Sequence, residues 1–157
     1  MNARNTVMML LMIGSLLMLS GCGINNIPTL DEQVKANWAQ VENQYQRRAD
    51  LVPNLVSTVK GYAAHEKETL QAVVEARAKV GSMQVDSSIL NNPQQLKQFE
   101  AAQSQLSSAL SRLMVVVERY PNLKANENFA QLQEELTTTE NKIAFARQHY
   151  NDSTAVY

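Results

Sequence analysis

Almost nothing in this 157-residue chain can cross-link it, because it holds one cysteine. A lone Cys forms neither an internal disulfide nor a cysteine metal cluster. Glycine (5) and proline (4) are scarce, which argues against collagen-like, linker-rich and turn-rich all-β chains. Neither sign of charge is in excess. Fourteen Lys and Arg against fifteen Asp and Glu leave a net charge of −1 and a pI near 6.1. The electrostatic footprint of a general nucleic-acid binder is therefore missing. Aromatic residues make up only 6% and include one Trp, while 45% of the chain is hydrophobic. Length and composition together describe one domain, or a domain plus an extension.

The long apolar run is at the N-terminus. Arg4 is the only charge before Val7 to Met18, an apolar stretch of the kind that forms the core of a secretory signal. It is shorter than the roughly 17–25 residues needed to span a bilayer. Leu19-Ser20-Gly21-Cys22 follows and resembles the bacterial lipoprotein signal. That resemblance implies cleavage before Cys22 and acylation of its thiol and new amine, with chains such as palmitate. Residues 1–21 are then a lipoprotein signal peptide and 22–29 a lipidated tether. Each buried CH₂ of an acyl chain contributes about 0.8 kcal/mol to membrane attachment. Gly23, in place of Asp, resembles the Gram-negative pattern that sends lipoproteins to the outer membrane, facing the periplasm. An uncleaved anchor helix is the alternative.

From Leu30 onward the pattern predicts helix almost throughout. Val34, Trp38, Val41 and Tyr45, then Leu55, Val56, Val59, Tyr62, Leu70, Val73 and Val80, recur in steps of three and four, the stripe of an amphipathic helix. Thr29 or Asp31 can cap its start. Pro53 removes a backbone donor and clashes with the carbonyl of Ala49. Two outcomes compete: one kinked helix from Leu30 to Val80, or a reversal near Pro53 with Asp50 as the new cap. Reversal is the expected outcome, since it lets the two pieces pack together. Asn92-Pro93 reads as a helix start, and the helix it opens carries Leu96, Phe99, Gln103, Leu106, Leu110 and Leu113. Asn126 can cap a last helix bearing Phe129, Leu132, Leu136, Ile143 and Tyr150. The expectation is an all-α, up-and-down antiparallel bundle of four helices with coiled-coil-like packing over residues 30–157.

Several stretches resemble the LemA family. They are Ala36-Asn37-Trp38-Ala39-Gln40-Val41, then Gln46-Arg47-Arg48-Ala49-Asp50-Leu51-Val52-Pro53-Asn54-Leu55, Lys60-Gly61-Tyr62-Ala63-Ala64-His65-Glu66 and Glu75-Ala76-Arg77. Later come Tyr120-Pro121-Asn122-Leu123-Lys124-Ala125 and Glu140-Asn141-Lys142-Ile143-Ala144. The resemblance implies a helical bundle, an N-terminal membrane anchor and no established enzymatic activity. It also implies a further helical stretch beyond Tyr157. Family members often carry a transmembrane segment where this chain has Cys22.

The catalytic inventory is thin. His65-Glu66 lacks the second His of a zinc-protease helix, the serines of the third helix sit in no nucleophile elbow, and no phosphate-cradling glycine loop exists. No enzyme, metal or cofactor is expected. The residues singled out for interaction are Trp38, Arg47, Arg48, Asp50, His65 and Glu66. Trp38 is either core or, if its helix projects, an exposed anchor for a partner. Arg47 and Arg48 are placed to bond carbonyls at the Pro53 kink, to pair with Asp50 or a neighbouring helix, or to hold an anion. His65 and Glu66 fit a polar helix face. The expected function is a membrane-anchored scaffold or interaction module of the cell envelope. It would be held by lipid on Cys22 and dock an envelope or membrane protein, with no nucleic acid. The alternative is a small-ligand or metal-binding bundle.

Overall fold

A single helix continues past Pro53 without a break. The computed structural model describes residues 26–83 and 86–156, and its first helix, α1, spans Asn26–Tyr62. The expected reversal at Pro53 does not occur, and neither does a continuous helix to Val80. The chain turns instead at Ala63–Glu66, where the Glu66 N–H donates to the Ala63 carbonyl at 3.0 Å. Then come α2 (Lys67–Gly81), a 3₁₀ turn at Ser87–Asn91, α3 (Pro93–Val117), the single-turn α4 (Pro121–Lys124) and α5 (Glu127–Val156). The four long helices make the expected bundle, with the first break nine residues beyond Pro53. Among the described residues there is no strand. Helix α1 also begins earlier than expected, so Pro28 and Thr29 belong to its first turn, where proline is tolerated. The proposed tether therefore gives way to helix at Asn26. Cys22 and the rest of residues 1–25 lie outside the described residues.

Cross-helix pairs fix the directions. Arg47 meets Glu135, Arg48 meets Glu140 and Asn37 meets the carbonyl of His149, so α1 and α5 run antiparallel. Lys79 meets Gln105 and Glu66 meets Arg119, so α2 and α3 do too. The topology is up-down-up-down, and 37 residues of α1 at 1.5 Å each make it about 55 Å long. The caps read at Asn92 and Asn126 hold, whereas Thr29, Asp31 and Asp50, read as helix starts, all lie inside α1, because the helix begins at Asn26 and does not reverse at Pro53. The Asn92 side chain accepts from the N–H groups of Gln94 and Gln95, each at 3.2 Å. Asn126 accepts from the Phe129 N–H at 2.9 Å.

The apolar stripe is buried in two separate clusters. The larger, far from the N-terminus, gathers Val52, Leu55, Val59, Val73, Leu106, Leu113, Leu123 and Phe129. The smaller, near the N-terminus, gathers Trp38, Val41, Tyr45, Ile89, Phe99, Ile143 and Ala146. Each such side chain fully buried is worth about 1.5–3 kcal/mol. The 3₁₀ turn supplies Ile89 to the smaller cluster, so the segment after α2 caps the core there.

Candidate functional site

Between the two clusters lies a polar layer built on Arg48, which is 1% exposed. Its Nη1 donates to Ser107 Oγ and to Glu140 Oε1 at 2.9 Å, while Nη2 donates to the Gln103 carbonyl at 3.0 Å and to Gln103 Oε1. The guanidinium also lies 5.2 Å from the centre of the Tyr45 ring. Positions 45, 48 and 52 continue the steps of three and four from Trp38, so Arg48 falls on the buried face of α1. Of the readings open for Arg48, pairing with a neighbouring helix is the one observed. A free anion site is not available at this buried side chain. Arg47, by contrast, is exposed and makes a surface pair with Glu135 at 3.3 Å, worth little in water. Asp50, also exposed, accepts from Gln46 at 2.9 Å and meets neither arginine.

Neither Arg47 nor Arg48 bonds the carbonyl left free by Pro53. The carbonyl that proline orphans, on Ala49, accepts instead from Arg77 Nε on α2 at 2.9 Å. A guanidinium from another helix replaces the missing backbone donor. This explains how the helix survives an internal proline.

Trp38 is core, 3% exposed. Its ring meets Phe99 and Tyr150 edge-on, with centroids 6.0 and 5.2 Å apart, and Tyr45 meets Phe99 in the same way at 5.4 Å. The exposed-anchor reading of Trp38 is thereby overturned. The C-terminal part of α5 covers the ring.

His65 and Glu66 do come together, joined through Tyr120 and Arg119. Both sit in the α1–α2 turn, facing the end of α3. Tyr120 Oη donates to Glu66 Oε1 at 2.8 Å and lies 2.7 Å from His65 Nε2, and Arg119 donates to Glu66 at 3.0 Å. Because the Tyr120 hydroxyl proton goes to the carboxylate, His65 Nε2 is the donor to Tyr120 Oη. Burial and the bond to Glu66 push the Tyr120 hydroxyl above the usual tyrosine range. Asn126 adds a bond to Tyr62 Oη at 2.9 Å. This bonded cluster marks the end of the bundle opposite the start of α1. No spacing rule links residues 65 and 66 to 119 and 120, so only the fold discloses it.

A third feature is a groove of about 590 Å³ among α1, α2 and α3, with Glu42, Arg77, Met83, Phe99 and Gln103 in its walls. Desolvation, and next the charge of Asp86, raise the Glu42 carboxyl above the ordinary carboxylate range. A raised acid favours the fold below its unfolded pKa, and that favour disappears as pH rises through the folded value. Glu42→Gln should therefore raise the melting temperature at neutral pH. The gap to wild type should close on acidification below the usual carboxylate range, as followed by circular dichroism at several pH values. Among the described residues no three His, Cys, Asp or Glu side chains gather as a metal site, so the metal version of the alternative finds no ligand set there.

The fold and these features define a four-helix up-and-down bundle pinned by a buried arginine layer and tied off by a bonded polar cluster at one end. The chain belongs to the LemA family, whose sequence profile matches residues 37–157. It is similar to the magnetosome protein MamQ of Magnetospirillum gryphiswaldense, 28% identical over 152 residues, covering 85% of this chain and 55% of that protein. It is also similar to a LemA protein of Metamycoplasma hominis, 32% identical over 105 residues, covering 67% and 43% respectively. The chain thus spans about half the length of these relatives. No helix among the described residues is long and apolar enough to cross a membrane.

Proposed function

We propose that this chain is a membrane-anchored scaffold module of the cell envelope. Cys22 is its acylation point, and the tip at His65, Glu66, Arg119 and Tyr120 is its docking surface. The unbroken length of α1 carries the reading. Asn26 follows Cys22 by four residues, which reach at most about 14 Å, so the start of α1 stays near the anchor. The tip then stands about one α1 length away, about 55 Å. His65 and Arg119 are exposed there, on a frame held by bonds rather than on a loose loop. The relation to a magnetosome protein supports membrane attachment.

Two measurements test this. Metabolic labelling with a fatty acid should mark the wild type and leave Cys22→Ser unlabelled and released from the membrane fraction. Persistent attachment of an unlabelled, uncleaved variant would overturn the lipid anchor. A photo-crosslinking residue at position 119 should give one reproducible adduct in whole cells, while the same residue at exposed position 131 on α5 should not. Equal adducts at both positions would remove the tip's special role.

A further inference from the structure

We propose that the groove among α1, α2 and α3 is a binding site for a small carboxylate with an apolar body. Three observations converge. First, Arg77 is fixed by its Nε bond to the Ala49 carbonyl at 2.9 Å. Its two Nη groups have no hydrogen-bond or ion-pair partner among the described residues. A guanidinium held at one edge presents its remaining donors as a planar fork, the geometry that matches a carboxylate.

Second, Gln103 is 2% exposed and its Nε2 has no hydrogen-bond partner. Its orientation is not open to an amide flip. Arg48 can only donate, and it donates to Gln103 Oε1, so the amide nitrogen must be the unsatisfied end. A buried donor left without an acceptor is destabilising, so an accepting group nearby is favoured. Third, the same groove offers apolar surface from Phe99 and Met83, and its volume of about 590 Å³ falls in the range of small-ligand sites, about 300–1,000 Å³.

Donors without acceptors at one end and an apolar wall beside them define the ligand. It brings a carboxylate for the Arg77 fork, with the Gln103 side chain in the same wall, and lays a hydrocarbon or aromatic body along Phe99. The one acid in the wall, Glu42, lies seven residues before Ala49, about 10 Å along α1. Its repulsion of a carboxylate seated on Arg77 is therefore weak. The site is independent of the membrane anchor and of the tip.

The experiment is calorimetric titration of the full chain in nonionic detergent with 4-phenylbutyrate and, in parallel, 4-phenylbutanol. The acid should bind saturably and the alcohol about tenfold more weakly or not at all, the equivalent of about 1.4 kcal/mol. Gly81 lines the groove, and a Cβ there meets nothing within 4 Å. Gly81→Leu should therefore fill the groove and weaken the acid about tenfold, with the melting temperature of the free protein little changed. Arg77→Lys keeps the charge and one donor to Ala49 but loses the fork, and should also weaken the acid about tenfold. No saturable binding of the acid, equal affinity for acid and alcohol, or undiminished binding by folded Gly81→Leu would each overturn the proposal.

Discussion

Arg48→Ala should destabilise the protein about as much as truncating a large side chain of its apolar core. Removing this side chain takes every donor from Glu140 Oε1, Ser107 Oγ and Gln103 Oε1 in one step. Breaking a buried ion pair by deleting one partner costs about 3–5 kcal/mol. The Glu140 side chain is 38% exposed and so partly hydrated, which places the loss toward the lower end, about 3–4 kcal/mol. For a chain of this size the melting temperature should fall by about 10 °C. Chemical denaturation of the variant gives the free energy directly. The control is the triple change Arg48→Met, Gln103→Leu and Glu140→Leu, which removes these three side chains together and leaves only the Ser107 hydroxyl of the layer. It should recover most of the stability, because an apolar replacement of a buried polar set is often neutral. A loss below about 1 kcal/mol in Arg48→Ala would show that the two apolar clusters hold together without the layer.

The second large effect is a coupling across α1 and α2. Arg77→Ala strips the donor from the Ala49 carbonyl, and Ala49 is 7% exposed. The expected cost is about 1–3 kcal/mol. Pro53→Ala restores the backbone N–H that belongs to that carbonyl and should stabilise the chain by about 1–2 kcal/mol. This is less than the ~3 kcal/mol of an unrelieved internal proline, because Arg77 already relieves part of it. With both changes present, the arginine has no orphan carbonyl to serve. Its loss should then cost well under 1 kcal/mol, giving an interaction term of about 1–2 kcal/mol in a double-mutant cycle. Additive losses would mean that Arg77 stabilises by packing alone.

These two sites show what could be read from the residues and what could not. The stripe on α1, the Asn92 and Asn126 caps and the four-helix bundle follow from local rules, because side-chain period and end capping are local. The end of α1 does not. Pro53 is the strongest local breaker in the first sixty residues, yet the break comes at Ala63–Glu66, in a stretch without proline. Arg77, 28 residues downstream, satisfies the carbonyl at Ala49. The turn is tied by Tyr120, some 54 residues downstream. Both decisions rest on partners that no local pattern names. Arg48 was legible in part. Stepping three from Tyr45 reaches it, and a charged residue on a buried stripe calls for a partner on the facing helix. The proposal of lipidation at Cys22 rests on local sequence alone.

The pairing of the first helix with the last also shapes how the chain comes to be folded. The cluster around Trp38 closes only when Ile143, Ala146 and Tyr150 arrive, about a hundred residues later. During synthesis α2 and α3 can meet as a local hairpin, while the face of α1 that carries Trp38, Val41 and Tyr45 still awaits its cover. Contacts this distant in sequence slow folding, and exposed apolar surface in the interval invites aggregation. The cluster is complete only with the final turns of α5, which bring Ala146 and Tyr150 against Trp38.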